Sequence, residues 1–392
     1  MPATDAQIEQ LLTELVRIES VTPWLIPDGA GEQRVQEFIA HWMSDLPGVE
    51  VWFEQVAPGR PNLFAKLPGV GGGPTLMLNS HADTVGYGNW RDRALTPERR
   101  GDRLIGLGVA DDKSSCAIGM LALRSLVERG VRLRGDLIVA TTVDEEGASI
   151  GTIHMLARHR PDAILVLEPE RLDDIVVEHQ GFGWIDVVVH GRAAHGSDPD
   201  QGIDAIVHMA EVITRLKKLD DTGFGRGADG GSMSGRTVFH TGTIRGGTDY
   251  ATYPNACVLG IEIGTQPGEH LSDRVHEIEA IFADVKAIYP DFSGEVNVQI
   301  DREPFMPREY DALFEAIVAS AEPVLGRAPR AAGLNAWGDS GLCSEAGIPT
   351  LCYGVDGGNF HAPDEWVSMP EMVAAVEIVE HTIERFCGTA EG

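Results

Sequence analysis

The chain has 392 residues, with 31 Lys and Arg against 60 Asp and Glu, a formal balance of −29. That length allows two or three domains, and 43% hydrophobic with 23% charged residues excludes a disordered chain. The acidic surplus argues against a nucleic-acid partner, whose phosphates are held by clustered Lys and Arg, and against docking on anionic membranes.

In chain order, Met1-Pro2-Ala3-Thr4-Asp5 lacks a basic region followed by an apolar run, so no secretory signal is expected. No stretch approaches 18 uninterrupted apolar residues, and no membrane span is expected either. Ile8, Leu11, Leu12, Leu15 and Val16 follow helical spacing, with Thr4 or Asp5 placed to cap the start. Short runs with apolar residues on both faces then alternate with helical patterns. They are Thr75–Asn79, Leu137–Thr142, Ala163–Leu167 and Thr350–Tyr353, and a helix across Ala117, Met120, Leu121 and Val127 lies among them. This alternation predicts an α/β fold with a mixed, largely parallel sheet covered by helices.

The middle of the chain changes rhythm. A strand over Gly183–His190 precedes a helix with Ile203, Ile206, Met209 and Ile213 on one face, and two strands near Thr237–Ile244 and Cys257–Ile263 follow. A second helix through Leu271, Val275, Ile278, Ile281 and Val285 and a strand at Glu295–Ile300 close the set. The order β-α-β-β-α-β is the split motif of a ferredoxin-like α+β domain. Glycines 223, 225, 227, 230, 231 and 235 mark a mobile loop inside it, with no helical pattern behind them to make a phosphate cradle. After Pro304 a helix passes through Leu313 and Ile317, and Ser368 with Glu371 reads as a capping box for the last helix. The expected layout is a catalytic α/β domain in two parts, 1–180 and 304–392, interrupted by an inserted domain, 181–303. The five cysteines (116, 257, 343, 352 and 387) form no CxxC pair, so reduced thiols in a cytoplasmic protein are expected.

Each buried run ends in polar groups: His81-Ala82-Asp83, Asp144-Glu145-Glu146, Glu168-Pro169-Glu170 and, past a glycine-rich loop, Asn359-Phe360-His361. Gly108-Val109-Ala110-Asp111-Asp112-Lys113 lies between the first two, where a loop enters a helix. Strand C-termini of an open parallel sheet share one edge, where ligands bind. Histidines and carboxylates gathered there repel one another and resist burial unless a cation sits among them, and one or two divalent metals answer that demand.

These segments, with His361-Ala362-Pro363-Asp364-Glu365, resemble the co-catalytic metallopeptidase and deacylase family of glutamate carboxypeptidase, acetylornithine deacetylase, succinyl-diaminopimelate desuccinylase and aminoacylase. The resemblance covers nearly the whole chain. It implies two divalent ions per subunit, zinc with cobalt or manganese as alternatives, bridged by Asp111. His81 and Glu168 complete one site, and Glu146 and His361 the other. It further implies Glu145 as general base, Asp83 as the partner orienting His81, and a cis bond between Asp111 and Asp112. His195, in Gly191-Arg192-Ala193-Ala194-His195-Gly196, falls to the oxyanion, and the inserted domain becomes a lid through which two copies dimerise. The implied reaction is hydrolysis of an amide C–N bond in a small carboxylate-bearing substrate. Glu145 moves a proton from water to the leaving nitrogen while two cations acidify that water.

Two lid positions depart from the family pattern. Ala251 replaces an Asn and Gly264 replaces the Arg that grips the substrate carboxylate. Arg245, Tyr250 and Trp337 are the candidates to stand in. The altered lid is what supports an alternative, hydrolytic deamination of a non-peptide, aromatic C–N substrate; a metal-binding scaffold or sensor is the non-enzyme alternative, which Glu145 disfavours.

Overall fold

The structure is a computed structural model and describes residues 3–222 and 236–390; the glycine-rich stretch 223–235 lies outside the described residues. The first part of the chain runs α1 (Asp5–Arg17), α2 (Gln33–Ser44), β1 (Glu50–Ala57), β2 (Arg60–Leu67), β3 (Leu76–His81), α3 (Arg91–Ala94), β4 (Glu98–Arg100), β5 (Arg103–Ile105), α4 (Lys113–Glu128), β6 (Leu137–Thr142), α5 (Ile150–Leu156), β7 (Ala163–Val166) and β8 (Asp174–His179). There follow β9 (Gly181–His190), α6 (Ala205–Thr222), β10 (Val238–Gly246), β11 (Ala256–Thr265), α7 (Leu271–Ile288) and β12 (Ser293–Arg302). The chain ends with α8 (Asp311–Leu325), β13 (Arg330–Leu334), α9 (Ser340–Glu345), β14 (Thr350–Cys352), β15 (Gly357–Gly358), β16 (Trp366–Ser368) and α10 (Met369–Cys387). Two compact units result. One comprises residues 1–177, 307–332 and 338–392, and the other residues 178–306 with 333–337.

The first unit is built on an eight-stranded sheet in the order β1-β2-β6-β3-β7-β14-β8-β13. Its centre is parallel: β3 pairs with β6 and β7, and β14 with β7, while β1, β2 and β8 pair antiparallel. All six residues of β3 are buried, because parallel strands covered by helices on both faces leave no solvent side. Helix α1 presents Ile8, Leu11, Leu12, Leu15 and Val16 to the core, and each such burial contributes about 1.5–3 kcal/mol. Its start carries a capping box between Thr4 and Gln7. At α10 only half of the expected box forms. Ser368 accepts the Glu371 N–H, but its own N–H is taken by Asp356 O at 2.8 Å, and the Glu371 carboxylate turns to the amides of Asp356 (2.8 Å) and Leu172 (3.4 Å).

A second, small sheet in this unit, β15-β16-β5-β4, was not legible in the sequence. Its β16–β5 pairing, Trp366 opposite Ile105, lays the segment carrying His361 and Glu365 against the segment leading to Asp111.

The other unit has an antiparallel sheet, β10-β11-β9-β12. Ile185, Val187 and Val189 of β9 alternate inward and pack on α6 and α7. The buried face of α6 is Ala205, Met209, Val212 and Leu216, with Ile213 packed against it. Met209 and Ile213 of the expected face thus meet the core, whereas Ile203 lies ahead of the helix, bridged to Arg192, and Ile206 is exposed.

Candidate metal centre

The parallel pairing of β3 with β6 and β7 sets three strand ends side by side, with His81 opposite Thr142 and Asn79 opposite Val166. His81 closes β3, Asp144-Glu145-Glu146 follows β6, and Glu168 follows β7. The loop before α4 brings Asp111, and the β15–β16 segment brings His361.

His81 Nε2 stands 2.9 Å from Asp111 Oδ1, and His361 Nε2 stands 3.3 Å from Asp111 Oδ2. Each carboxylate oxygen of Asp111 thus faces a different imidazole. His361 Nε2 also lies 3.1 Å from Glu146 Oε1. Spacings like these also suit ligands aimed at a shared cation, since bonds of about 2.0–2.1 Å place tetrahedral donors about 3.3 Å apart. Ligand atoms of His81, Asp111 and Glu146 lie within 4.8 Å of one another, as do those of His81, Asp112 and Glu168. The residues present therefore fit a pair of divalent ions. A third group, Glu380, His381 and Glu384 on α10, already has a cation, the Arg129 guanidinium between its carboxylates.

The electrostatics state the same demand. Burial, together with repulsion from neighbouring carboxylates, pushes Glu145 and Glu168 well above the ordinary carboxylate range. Hydrogen bonds to Asp111 and Glu146 push His361 up to about 11. Burial opposes ionisation of Asp111, yet its bonds to His361 and His81 hold its carboxyl below the usual range.

Backbone geometry shapes these loops. The Asp111–Asp112 peptide is cis, and Asp144, Asn359 and His361 adopt left-handed φ of 69°, 56° and 61°. Such non-glycine conformations cluster where surrounding contacts over-determine them. Asp83 accepts the N–H groups of Glu145 and Glu146, both at 3.1 Å, and its Oδ1 faces His81 Nδ1 at 3.5 Å. Its shortest bonds therefore hold the glutamate pair rather than the ring. Asp112 Oδ2 accepts the His81 N–H at 3.1 Å. Lys113, fully buried, donates Nζ to Ile18 O at 2.7 Å, and burial lowers its pKa to about 8.

Glu365 and Asp339 were not assigned roles by sequence reasoning. Glu365 accepts three loop amides, Gly108 N–H on Oε2 (3.0 Å) and Ala110 and Asp111 N–H on Oε1 (3.0 and 3.1 Å). Asp339 takes the Thr152 hydroxyl, and burial raises its carboxyl to about 6, where its charge also acts on Glu145 and Glu168. The position of Asp339 ahead of α9 was the only available signal.

His195, Arg245, Tyr250 and Trp337 belong to the other unit. His195 is exposed, and its Nδ1 accepts the Ser197 N–H at 3.2 Å. The same Nδ1 lies 2.7 Å from Ser197 Oγ. Arg245 sits on β10 opposite Val258 and is exposed, as is Tyr250. Trp337 packs edge-on against Phe182 at 5.2 Å, with the Arg302 guanidinium 5.9 Å from its ring. At Gly264 a Cβ would stand 2.6 Å from Gln180 Oε1 and 2.7 Å from Val238 Cγ2. Both contacts are side-chain ends, Gln180 and Val238 packing over the backbone at Gly264.

Fold and donor set together define a metallohydrolase built on an α/β unit with a separate antiparallel-sheet unit. The chain belongs to peptidase family M20/M25/M40, whose model matches residues 77–385. It is 29% identical to an acetylornithine deacetylase of Proteus mirabilis over 389 residues, covering 96% of each chain. Its fold matches a tripeptidase of Staphylococcus aureus with TM-score 0.82 at 21% identity, covering 99% of this chain and 100% of that one. It also matches a dinuclear metal binding peptidase of Bacillus subtilis with TM-score 0.69 at 15% identity, covering 97% of each.

Proposed function

We propose that this metallohydrolase cleaves an amide C–N bond in a small carboxylate-bearing substrate, an N-acyl amino acid or a short peptide. The observation that carries the reading is Asp111, whose two oxygens face His81 and His361 separately, as a bridging carboxylate requires. His81 and Glu168 would hold one ion with Asp111, and Glu146 and His361 the other. Imidazole and carboxylate donors suit zinc and also accept cobalt or manganese. Bound there, the ions supply an acidified water and positive charge for a developing oxyanion.

The chain's own groups do the rest. Glu145, on the loop that follows β6, takes a proton from water and delivers it to the leaving nitrogen. Asp83 holds Glu145 and Glu146 by their amides. His195 offers a ring N–H to the oxyanion. Similarity to acetylornithine deacetylase supports the acyl amino acid class. Arg245 would grip the carboxylate in place of the absent arginine, with Tyr250 and Trp337 as further substrate contacts. Exposed Ile206, Val207, Ile244 and Val298 of the second unit support a homodimer formed through it, and five free thiols support a cytoplasmic setting. One observation favours a second reading, hydrolysis of a non-peptide C–N bond: Gly264 stands in the slot where the family pattern carries the arginine that grips the carboxylate.

A panel of N-acyl amino acids, dipeptides and aryl amines, assayed with zinc, cobalt or manganese, separates the two. Glu145→Gln is expected to keep two equivalents of metal while kcat falls about 10²–10⁴-fold. Full turnover in that variant would overturn the assignment.

A further inference from the structure

The loop that carries Glu145 and Glu146 is gripped from a side that has no part in the ligand set. Asp144 opens it in a left-handed conformation, φ 69°, uncommon outside glycine though less so for Asp than for most residues. Its Oδ1 accepts from the Arg60 guanidinium at 2.7 Å and from the Thr22 hydroxyl at 2.8 Å, and its Oδ2 from Ala148 N–H at 3.1 Å. Arg60 in turn donates Nε to Glu32 Oε2 at 2.8 Å and a terminal nitrogen to Thr22 Oγ1 at 3.0 Å. The Glu32 and Asp144 side chains are wholly buried and that of Arg60 is 12% exposed, so water does not replace these bonds.

Neighbouring contacts extend the grip. Asn62 accepts Val143 N–H (3.2 Å) and donates to Gly151 O (2.8 Å), and Gln36 donates to Thr141 O (2.8 Å). At Gly151 a Cβ would meet Val143 O at 2.4 Å, so only glycine permits this approach.

We propose that Arg60 is a positioning residue for Glu145 and Glu146, acting through Asp144. It rests on the roles given to those two glutamates above. A guanidinium is suited to this place, because its planar fork reaches Glu32, Thr22 and Asp144 at once where an ammonium is a single point charge. The loop is thereby held at both ends of its short span, by Asp83 at the amides of residues 145 and 146 and by Arg60 at residue 144. Buried ion pairs are often neutral for stability against apolar replacements, so a stabilising role alone does not account for a node with two carboxylates and one cation.

The test compares Arg60→Ala, Arg60→Lys and Thr22→Val with the full-length wild type. Zinc affinity is read by competition with a chromophoric chelator, which needs no substrate, and kcat and KM are read on the best substrate of the panel. Arg60→Ala is expected to lose about 10-fold or more in zinc affinity and about 10²-fold in kcat, with KM changed by less than about 3-fold. Arg60→Lys should recover part of both losses. Should Arg60→Ala fail to fold, Thr22→Val, which removes only the hydroxyl joining Arg60 to Asp144, must shift both quantities in the same direction. Folded variants with wild-type zinc affinity and kcat would overturn the proposal even if their thermal midpoints fell. If Glu145→Gln is inactive while Arg60→Ala is not impaired, only this inference fails; if Glu145→Gln is fully active, the functional reading fails first.

Discussion

Glu365 offers the sharpest check on how the loop bearing Asp111 is held. Its carboxylate is 1% exposed and serves three backbone amides at 3.0–3.1 Å, those of Gly108, Ala110 and Asp111. A hydrogen bond to a charged acceptor contributes about 1.5–3 kcal/mol, and a buried donor left without one loses that amount. Three bonds would sum higher, but burying the carboxylate is itself costly and, with repulsion from Asp111, raises its pKa to about 7. The expected net loss for Glu365→Ala is therefore about 3–5 kcal/mol. Glu365→Gln can keep its carbonyl on the Ala110 and Asp111 amides while its NH₂ faces the Gly108 N–H, a loss of about 2 kcal/mol. Denaturant unfolding in chelator reads the stability, and zinc titration reads the placement of Asp111, with affinity expected to fall about 10–100-fold in the Ala variant. Wild-type unfolding midpoints together with wild-type zinc affinity in Glu365→Ala would refute the reasoning.

Two further outcomes follow from the site's charges and contacts. In protein stripped by a chelator, Glu145, Glu168 and Glu365 have pKa values raised chiefly by burial, and His361 is raised to about 11 by Asp111 and Glu146. Between about pH 5 and 9 the folded chain then binds more protons than the unfolded one, so stability falls as pH rises. Zinc displaces those protons, and its stabilising increment should grow over the same range; thermal unfolding with and without zinc at about pH 6 and 8.5 reads it, and an increment that shrinks is the contrary result. Asp83→Asn keeps the size of the side chain but can accept only one of the Glu145 and Glu146 amides well. Zinc affinity should fall about 10–100-fold by chelator competition, and an unchanged value would remove Asp83 from the holding role.

The sequence by itself determined what depends on local periodicity and on chemistry concentrated at strand ends. The α1 face and its Thr4 cap, the wholly buried β3, and the alternation of β9 are all readable because each residue's side is fixed by its neighbours within a turn or two. His81, Asp111, Glu146, Glu168 and His361 stood out only jointly, through several polar segments following buried runs in the order of the resembled family. The tertiary structure alone decided which buried polar group answers which. Glu365 finds the Asp111 loop through the small β15–β16–β5–β4 sheet, Arg60 reaches Asp144 across 84 residues, and Glu371 leaves its own cap for Asp356 and Leu172. Such pairings have no period along the chain. They are set by which loops the sheets bring together, and by the rule that a polar group taken out of water must be met by a partner.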